Sequence, residues 1–268
     1  MDKIKRGYVN GRDVRLVYID FGGSGDYVVL LHGLMSRATN WYEIALWLKE
    51  SYHVIGFDQR GHGRSEKPDS DYSREIMIDD IANAMDELSI HNSIVIGHSM
   101  GASIAWGLAV KYPHFVKALI IEDKSAQSPE MEALEEWEKF FMSWPVPFSC
   151  LKEASLFFGN LHHTYADHFI ELLEEKELGY YPIFKFEHLI KILSLRFGKS
   201  KWDELNLIQC PTLIIKGGES IFQREHAEKM SKMIKNCQFV EIPDAGHVVH
   251  DDQPELFRNT VEKFLTEL

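Results

Sequence analysis

Short apolar runs alternate with segments of helical periodicity along the first 121 residues, and this alternation constrains the fold more than any other feature. Tyr27–Leu31, His53–Phe57, Asn92–Ile96 and Val116–Ile121 have the composition of strands buried on both faces of a sheet. Between them apolar residues recur at helical spacing, for example in residues 78–88. Strands that alternate with helices predict a mainly parallel sheet with helices on both faces.

The same alternation returns near the end of the chain, where Thr212–Ile215 and Gln238–Ile242 are predicted strands. Residues 126–205 interrupt it, because they show helical periodicity and no buried-strand run. We therefore predict an α/β fold with an eight-stranded sheet, formed by residues 1–125 and 206–268. The interrupting segment is predicted to be an all-helical insertion after the sixth strand.

The insertion holds 15 of the chain's 32 aromatic residues. A small sub-domain needs bulky side chains to form a core of its own. Alternatively, several of these rings could roof an apolar pocket at the sheet's edge. Both interpretations hold if they apply to different residues.

Charge and hydropathy exclude some classes of protein. The formal net charge of −12 argues against a general nucleic-acid or anionic-membrane binder, since both depend on basic surfaces. The chain has no run of about 18 apolar residues, so we expect no membrane-spanning helix. Residues 1–16 lack the apolar region of a secretory signal. The three cysteines (Cys150, Cys210 and Cys237) are widely spaced, which favours reduced, buried thiols in a cytoplasmic protein.

Gly97-His98-Ser99-Met100-Gly101 is the chain's one G-x-S-x-G motif. It lies between a predicted strand and a predicted helix, the setting in which this motif presents a nucleophilic serine on a sharp turn. The helix that follows points its positive end at developing negative charge. We predict Ser99 as a nucleophile; the alternative is an ordinary turn with a helix-capping serine.

An oxyanion would need two preset N–H donors close to that serine. One donor is expected from the residue after the nucleophile, Met100, and another from Leu34, in the loop after the strand Tyr27–Leu31. Both contributions come from the main chain, so the side-chain types are weak evidence. The alternative for Gly33 is a plain loop glycine.

His247 is the candidate base among thirteen histidines, because it follows the last strand and precedes the last helix. That position places it at the carboxyl edge of the sheet, near Ser99. His250 is its nearest rival, whereas His62 and His98 flank glycine turns and are expected to be structural. A metal site is not expected from the three histidines of the insertion, His162, His163 and His168.

Four segments occur in a familiar order: HGLM at 32–35, DQRGHGRS at 58–65, GHSMG at 97–101 and DAGH at 244–247. Together they resemble the α/β-hydrolase superfamily over nearly the whole chain outside the insertion. The closest resemblance is to cap-bearing carboxylesterases, alongside C–C bond hydrolases and cofactor-free perhydrolases. This resemblance implies an α/β-hydrolase fold in which the insertion is a cap, or lid.

One departure from the family pattern concerns the acid of the catalytic triad. The family usually places an aspartate after the seventh strand, where this chain has Ser220. Some members place the acid after the sixth strand instead, which corresponds to Asp123 here. Asp123 is the preferred candidate over Glu219 and Glu122, because strand alternation turns Glu122 to the other side. Asp123 could also be only a helix-capping residue.

The resemblance implies a serine hydrolase that cleaves carboxylic esters of small, apolar substrates, with Ser99, Asp123 and His247 as the triad. It implies no cofactor and no metal. The expected partner is a small-molecule ester, without nucleic acid or membrane insertion, and a monomer and a dimer both stay open. Alternatives are cleavage of a C–C bond or a lactone, perhydrolysis, and a non-catalytic ligand-binding protein.

Overall fold

The computed structural model describes residues 4–129, 132–161 and 166–268. Its main sheet has eight strands in the order β1-β2-β4-β3-β5-β6-β9-β10. These strands are β1 (Lys5–Asn10), β2 (Arg15–Gly22), β3 (Tyr27–Leu31), β4 (His53–Asp58), β5 (Ser93–His98), β6 (Val116–Glu122), β9 (Thr212–Gly217) and β10 (Cys237–Ile242).

The sheet is parallel from β4 to β10, and only the hairpin β1–β2 and its pairing with β4 are antiparallel. The central strands β3 to β6 are almost wholly buried, as their unbroken apolar composition predicts. The predicted α/β fold with a mostly parallel eight-stranded sheet is therefore confirmed.

Helices cover both faces of the sheet and bury a separate apolar core on each. The helices outside the insertion are α1 (Tyr42–Leu48), α2 (Arg74–Glu87), α3 (Met100–Lys111), α9 (Arg224–Met233), α10 (Val249–Asp252) and α11 (Pro254–Thr266). Apolar side chains of α2, α3 and α9 pack on one face. Those of α1 and α11 pack on the other. The rigid layers fix where each strand ends, and so where the loops at the carboxyl edge lie.

Within its described residues, the insertion contains five helices and a small second sheet. Its helices are α4 (Glu132–Met142), α5 (Leu151–Leu161), α6 (Ala166–Ile170), α7 (Phe186–Ser194) and α8 (Trp202–Leu205), and its strands are β7 (Leu173–Lys176) and β8 (Gly179–Pro182). The prediction of an all-helical insertion was therefore wrong. β7 is mostly exposed and rich in glutamate, so it lacks the apolar signal on which strand prediction depends.

The sequence also led to predictions about the cysteines, the histidines of the insertion and membrane-spanning helices. All three cysteines are free thiols, but Cys150 is exposed and the other two are only partly buried, so the prediction of buried thiols was wrong. Cys150 directly precedes α5, at the surface of the insertion.

His162 and His163 lie outside the described residues. No helix in the described part of the chain has the length and apolarity to cross a membrane.

Candidate active site

Ser99 occupies the sharp turn between β5 and α3, with φ 50° and ψ −109°. Non-glycine residues rarely adopt this region, so the surrounding chain must hold the residue there. The flanking glycines make the turn feasible. A Cβ on Gly97 would lie 2.5 Å from the carbonyl oxygen of Gly101, and one on Gly101 would lie 2.1 Å from that of Leu31. The backbone therefore crosses too closely for any side chain at either position.

The side chains of Ser99, His247 and Asp123 form one chain of hydrogen bonds. Nε2 of His247 lies 3.0 Å from Oγ of Ser99, and Nδ1 lies 2.6 Å from Oδ2 of Asp123. With Nδ1–H donating to the carboxylate, Nε2 is free to accept the serine proton. The His247 side chain is 44% exposed, whereas that of Asp123 is buried. This arrangement allows a serine to be activated by a base that a buried carboxylate orients.

Asp123 follows β6 directly, and three donors hold its carboxylate. Oδ1 accepts the backbone N–H of Gly217 at 3.0 Å, and the Ser220 hydroxyl donates to Oδ2, the oxygen that also faces His247. The family usually places the triad acid in the loop after β9. In this chain Ser220 occupies that loop and supports the carboxylate of Asp123. Glu219 is exposed. Among the described residues, the side chain of His247 makes its hydrogen bonds to Asp123 and Ser99, and Glu219 makes none to it.

Glu122 forms a second, buried pair with His250. The carboxylate accepts the Nδ1–H of His250 at 2.8 Å and its backbone N–H at 3.0 Å, and Trp41 stacks on the imidazole at 4.2 Å between centroids. Burial disfavours the charged imidazole, but the adjacent carboxylate outweighs it and raises the pKa of His250 above its usual value. His250 thus fixes the loop that carries His247, rather than facing Ser99 as a rival base.

Two buried histidines position the backbone around Ser99. Nε2–H of His98 donates to the carbonyl oxygen of His247 at 2.8 Å. Nδ1–H of His32 donates to the carbonyl oxygen of Gly33 at 2.7 Å, and its Nε2 accepts the backbone N–H of Gln59 at 3.0 Å. Burial lowers the pKa of His32 to about 4 and holds that of His98 well below its usual value, so both are neutral at pH 7.

The predicted oxyanion donors lie next to Ser99, one at the start of α3 and the other in the loop after β3. Met100 is the first residue of α3, and Leu34 lines the same cavity as Ser99. Within the described residues, neither backbone N–H donates to another protein group. Both amides are therefore available to a bound oxyanion, and their role stays a prediction.

A cavity of about 510 Å³ opens over Ser99 between the core and the insertion. Its walls on the insertion side are largely apolar, and they include Trp137, Phe169, Leu193 and Phe197. Other aromatic residues of the insertion do not line the cavity; Phe158, for example, is fully buried and packs against the rings of Trp144 and Phe148. Both interpretations of the aromatic residues therefore apply, each to a different subset.

His168 is a cavity residue whose place sequence reasoning missed. Its Nε2–H donates to the carbonyl oxygen of Met35 at 3.1 Å, and its Nδ1 accepts the side-chain amide of Asn40 at 3.2 Å. These bonds join α6 of the insertion to the loop that carries Leu34. No sequence motif marks such a contact, because it joins residues 133 positions apart. The described histidines, cysteines and carboxylates form no group of three or more suited to a metal ion.

The chain belongs to the α/β hydrolase fold family, whose model matches residues 26–254. It is 25% identical over 250 residues to 2-(acetamidomethylene)succinate hydrolase of Mesorhizobium japonicum. The matched region covers 91% of this chain and 89% of that protein. It is 29% identical to the sn-1-specific diacylglycerol lipase ABHD11 of Mus musculus, over 89% of this chain and 80% of the lipase.

Solved structures agree with this family assignment. The crystal structure of E-2-(acetamidomethylene)succinate hydrolase superposes with a TM-score of 0.88 at 24% identity, over 98% of this chain and 100% of the other. The likeness to that structure shows the fold. The family match and the curated relatives identify this chain as a hydrolase.

Proposed function

We propose that this hydrolase cleaves carboxylic esters of small substrates through an acyl-enzyme formed on Ser99. The observation that carries the proposal is the hydrogen-bond chain from Ser99 through His247 to Asp123, at the base of a largely apolar cavity. The proposal also assigns residues 126–205 as the cap that closes this cavity over the substrate.

In the first half of the reaction, Oγ of Ser99 attacks the ester carbonyl carbon while Nε2 of His247 takes the hydroxyl proton. The backbone N–H groups of Leu34 and Met100 stabilise the oxyanion. When the intermediate collapses, the C–O bond to the alcohol breaks and the His247 imidazolium donates its proton to the leaving oxygen. Water then attacks the acyl-enzyme with His247 as base, which releases the acid and restores Ser99.

Several features support ester cleavage by this site. The lipase relative is named for a reaction on diacylglycerol, which is an ester. Epoxide and haloalkane chemistry in this family needs a carboxylate nucleophile, whereas the nucleophile position here holds Ser99. Cleavage of a lactone or of a C–C bond would use the same three side chains. Substrate screening separates these reactions.

The direct test is hydrolysis of p-nitrophenyl butyrate by the unmodified protein and by Ser99→Ala. The substitution removes the attacking oxygen, so we expect kcat to fall at least about 10³-fold. Ser231→Ala in α9, whose hydroxyl bonds only its own helix, is the matched control and should keep full activity. An active Ser99→Ala protein would disprove the proposed nucleophile. A folded parent protein that is inactive on this ester and also on lactone and C–C bond substrates would favour the non-catalytic ligand-binding alternative.

A further inference from the structure

Arg196 lines the same cavity as Ser99, from the turn that follows α7. Its backbone is held on two sides. The N–H donates to the carbonyl oxygen of Leu193 at 2.9 Å, and the carbonyl oxygen accepts the hydroxyl of Ser128 at 3.3 Å. The turn therefore presents the Arg196 side chain at a fixed place in the cavity wall.

The guanidinium of Arg196 has no ion pair and no hydrogen bond within the described residues. Three other arginines of the described chain are also partly or fully buried, and each has a carboxylate partner: Arg37 with Glu171, Arg60 with Asp80, and Arg74 with Glu204. Arg196 is partly buried, and its charged guanidinium carries five N–H donors that lack an acceptor among the described protein groups, so they are available to an acceptor on a ligand in the cavity.

The surroundings of Arg196 favour binding of an anion. Burial, assisted by the nearby charge of Arg74, lowers the pKa of Arg196 to about 10, which leaves it cationic at neutral pH. A cleft of about 40 Å³ shares Arg196 with the main cavity. Its described charged lining residues are one carboxylate, Glu75, and five cations: Arg74, Lys124, Arg196, Lys199 and Lys201.

This local excess of positive charge contrasts with the net charge of −12 of the whole chain. Glu204 pairs with Arg74 and with Lys201, and Glu75 pairs with Lys201, so part of the charge is neutralised within the protein. Among the described carboxylates none pairs with Arg196, which lines the cavity. Within walls of low polarity, an uncompensated cation attracts a ligand anion strongly.

We propose that Arg196 binds a carboxylate carried by the substrate, so that the preferred substrates are esters with a free carboxylate. A planar guanidinium matches a carboxylate with two parallel hydrogen bonds. The inference rests on the proposed ester cleavage at Ser99. It adds that Arg196 orients the substrate by its charge while the apolar walls hold the hydrocarbon part.

Matched pairs of esters test this assignment. In one series the p-nitrophenyl monoesters of succinic, glutaric and adipic acids are compared with the corresponding primary amides, which place the charge on the acyl side. In the other, the butyrate ester of 4-hydroxybenzoate is compared with that of 4-hydroxybenzamide, which places it on the alcohol side. We expect the carboxylate member to have a kcat/KM about tenfold or more above its amide in at least one series.

Arg196→Gln should lower that ratio of carboxylate to amide about 10- to 100-fold, and Arg196→Lys should keep part of it, because the charge remains but the two-pronged geometry is lost. Arg258→Gln is the matched control, because Arg258 lies on α11 in an exposed pair with Glu262. The ratio of kcat/KM for carboxylate to that for amide should be the same in this variant as in the parent protein. Equal kcat/KM for carboxylate and amide in every pair would overturn the role of Arg196 while leaving ester cleavage intact.

A binding measurement separates failure of this inference from failure of the proposed reaction. Glutarate is titrated calorimetrically into Ser99→Ala and into Ser99→Ala combined with Arg196→Gln. We expect the second protein to bind glutarate about tenfold or more weakly, whatever reaction Ser99 performs. Equal affinity, or no binding to either protein, would contradict the assignment. Ester cleavage that persists in Ser99→Ala would instead disprove the proposed function.

Discussion

Asp123 holds three hydrogen-bond donors at once, from Gly217, Ser220 and His247. A carboxylate fixed in this way keeps the His247 imidazole in one orientation and one tautomer, and in the proposed reaction it stabilises the imidazolium that forms when Ser99 attacks. The acid can therefore follow β6 instead of β9, because adjacent parallel strands end at the same edge of the sheet. Its place in the chain matters less than its distance from Nδ1.

Asp123→Asn tests the role of this carboxylate. The amide keeps the shape of the side chain but removes its charge and disfavours the Nδ1–H tautomer of His247. We expect kcat for p-nitrophenyl butyrate to fall about 10²- to 10⁴-fold with the fold retained. Glu219→Gln is the control and should change kcat less than about threefold, since the Glu219 side chain is exposed. The reverse pattern would move the acid to Glu219.

Sequence reasoning reached Ser99, His247 and Asp123 by motif and by position at the strand ends, and the structure brings these three side chains together. It did not reach the pairing of Glu122 with His250, or the hydroxyl of Ser220 on Asp123. Those contacts join residues 128 and 97 positions apart, and they depend on how the loops after β6, β9 and β10 pack against one another. Single-residue patterns carry no such information.

At the scale of elements, the insertion builds one wall of the cavity from α4, α6 and the segment after α7. Trp137 on α4 is 36% exposed and lines that wall, and its ring packs on Phe141 at 5.5 Å between centroids. The extent of the cavity is therefore set by side chains of the insertion as well as by the core.

Trp137→Ala should shift the chain-length preference toward longer acyl groups. Removing the ring opens space along the cavity wall. Burying two more methylene groups at about 0.8 kcal/mol each would raise the kcat/KM ratio of octanoate to butyrate esters about tenfold. Leu156→Ala on α5, whose side chain is exposed, is the control and should leave the ratio unchanged. An unchanged ratio in Trp137→Ala would exclude that ring from the acyl site.

The element pattern of the core was predictable because buried parallel strands and amphipathic helices leave strong periodic signals. The hairpin β7–β8 was not, since its strands are only four residues long, β7 is mostly exposed, and β8 is partly buried without a run of apolar residues. Its register depends on contacts with the rest of the insertion, including the bridge between Phe148 and Tyr180. Local composition therefore predicted the strands and helices of the core well, but in the insertion it predicted only the helices.

At the scale of the whole molecule, folding buries several histidines in neutral form. Burial lowers the pKa of His32 to about 4 and that of His62 to about 3, and it lowers that of His98 as well. Below a pH of about 6.5 the unfolded chain binds protons that these folded side chains cannot bind. The free energy of unfolding therefore falls with decreasing pH, by up to about 1.4 kcal/mol per histidine and pH unit.

Thermal unfolding should accordingly show a marked fall in Tm between about pH 7 and about pH 5. His62→Gln should reduce the slope by about one proton, because glutamine has no protonated form for the unfolded chain to favour. His91→Gln, at an exposed position, is the control and should keep the parent slope. Identical slopes for His62→Gln and the parent protein would contradict the neutral burial of His62.

The central claim is that Ser99 is the nucleophile of the hydrolytic reaction. Its most direct test is reaction with a fluorophosphonate, followed by mass spectrometry of the intact protein and of its peptides. We predict one phosphonyl group per chain, located on Ser99, with loss of ester hydrolysis in proportion to labelling and no label on Ser99→Ala. A label on another residue, or full hydrolysis by the fully labelled protein, would contradict the account.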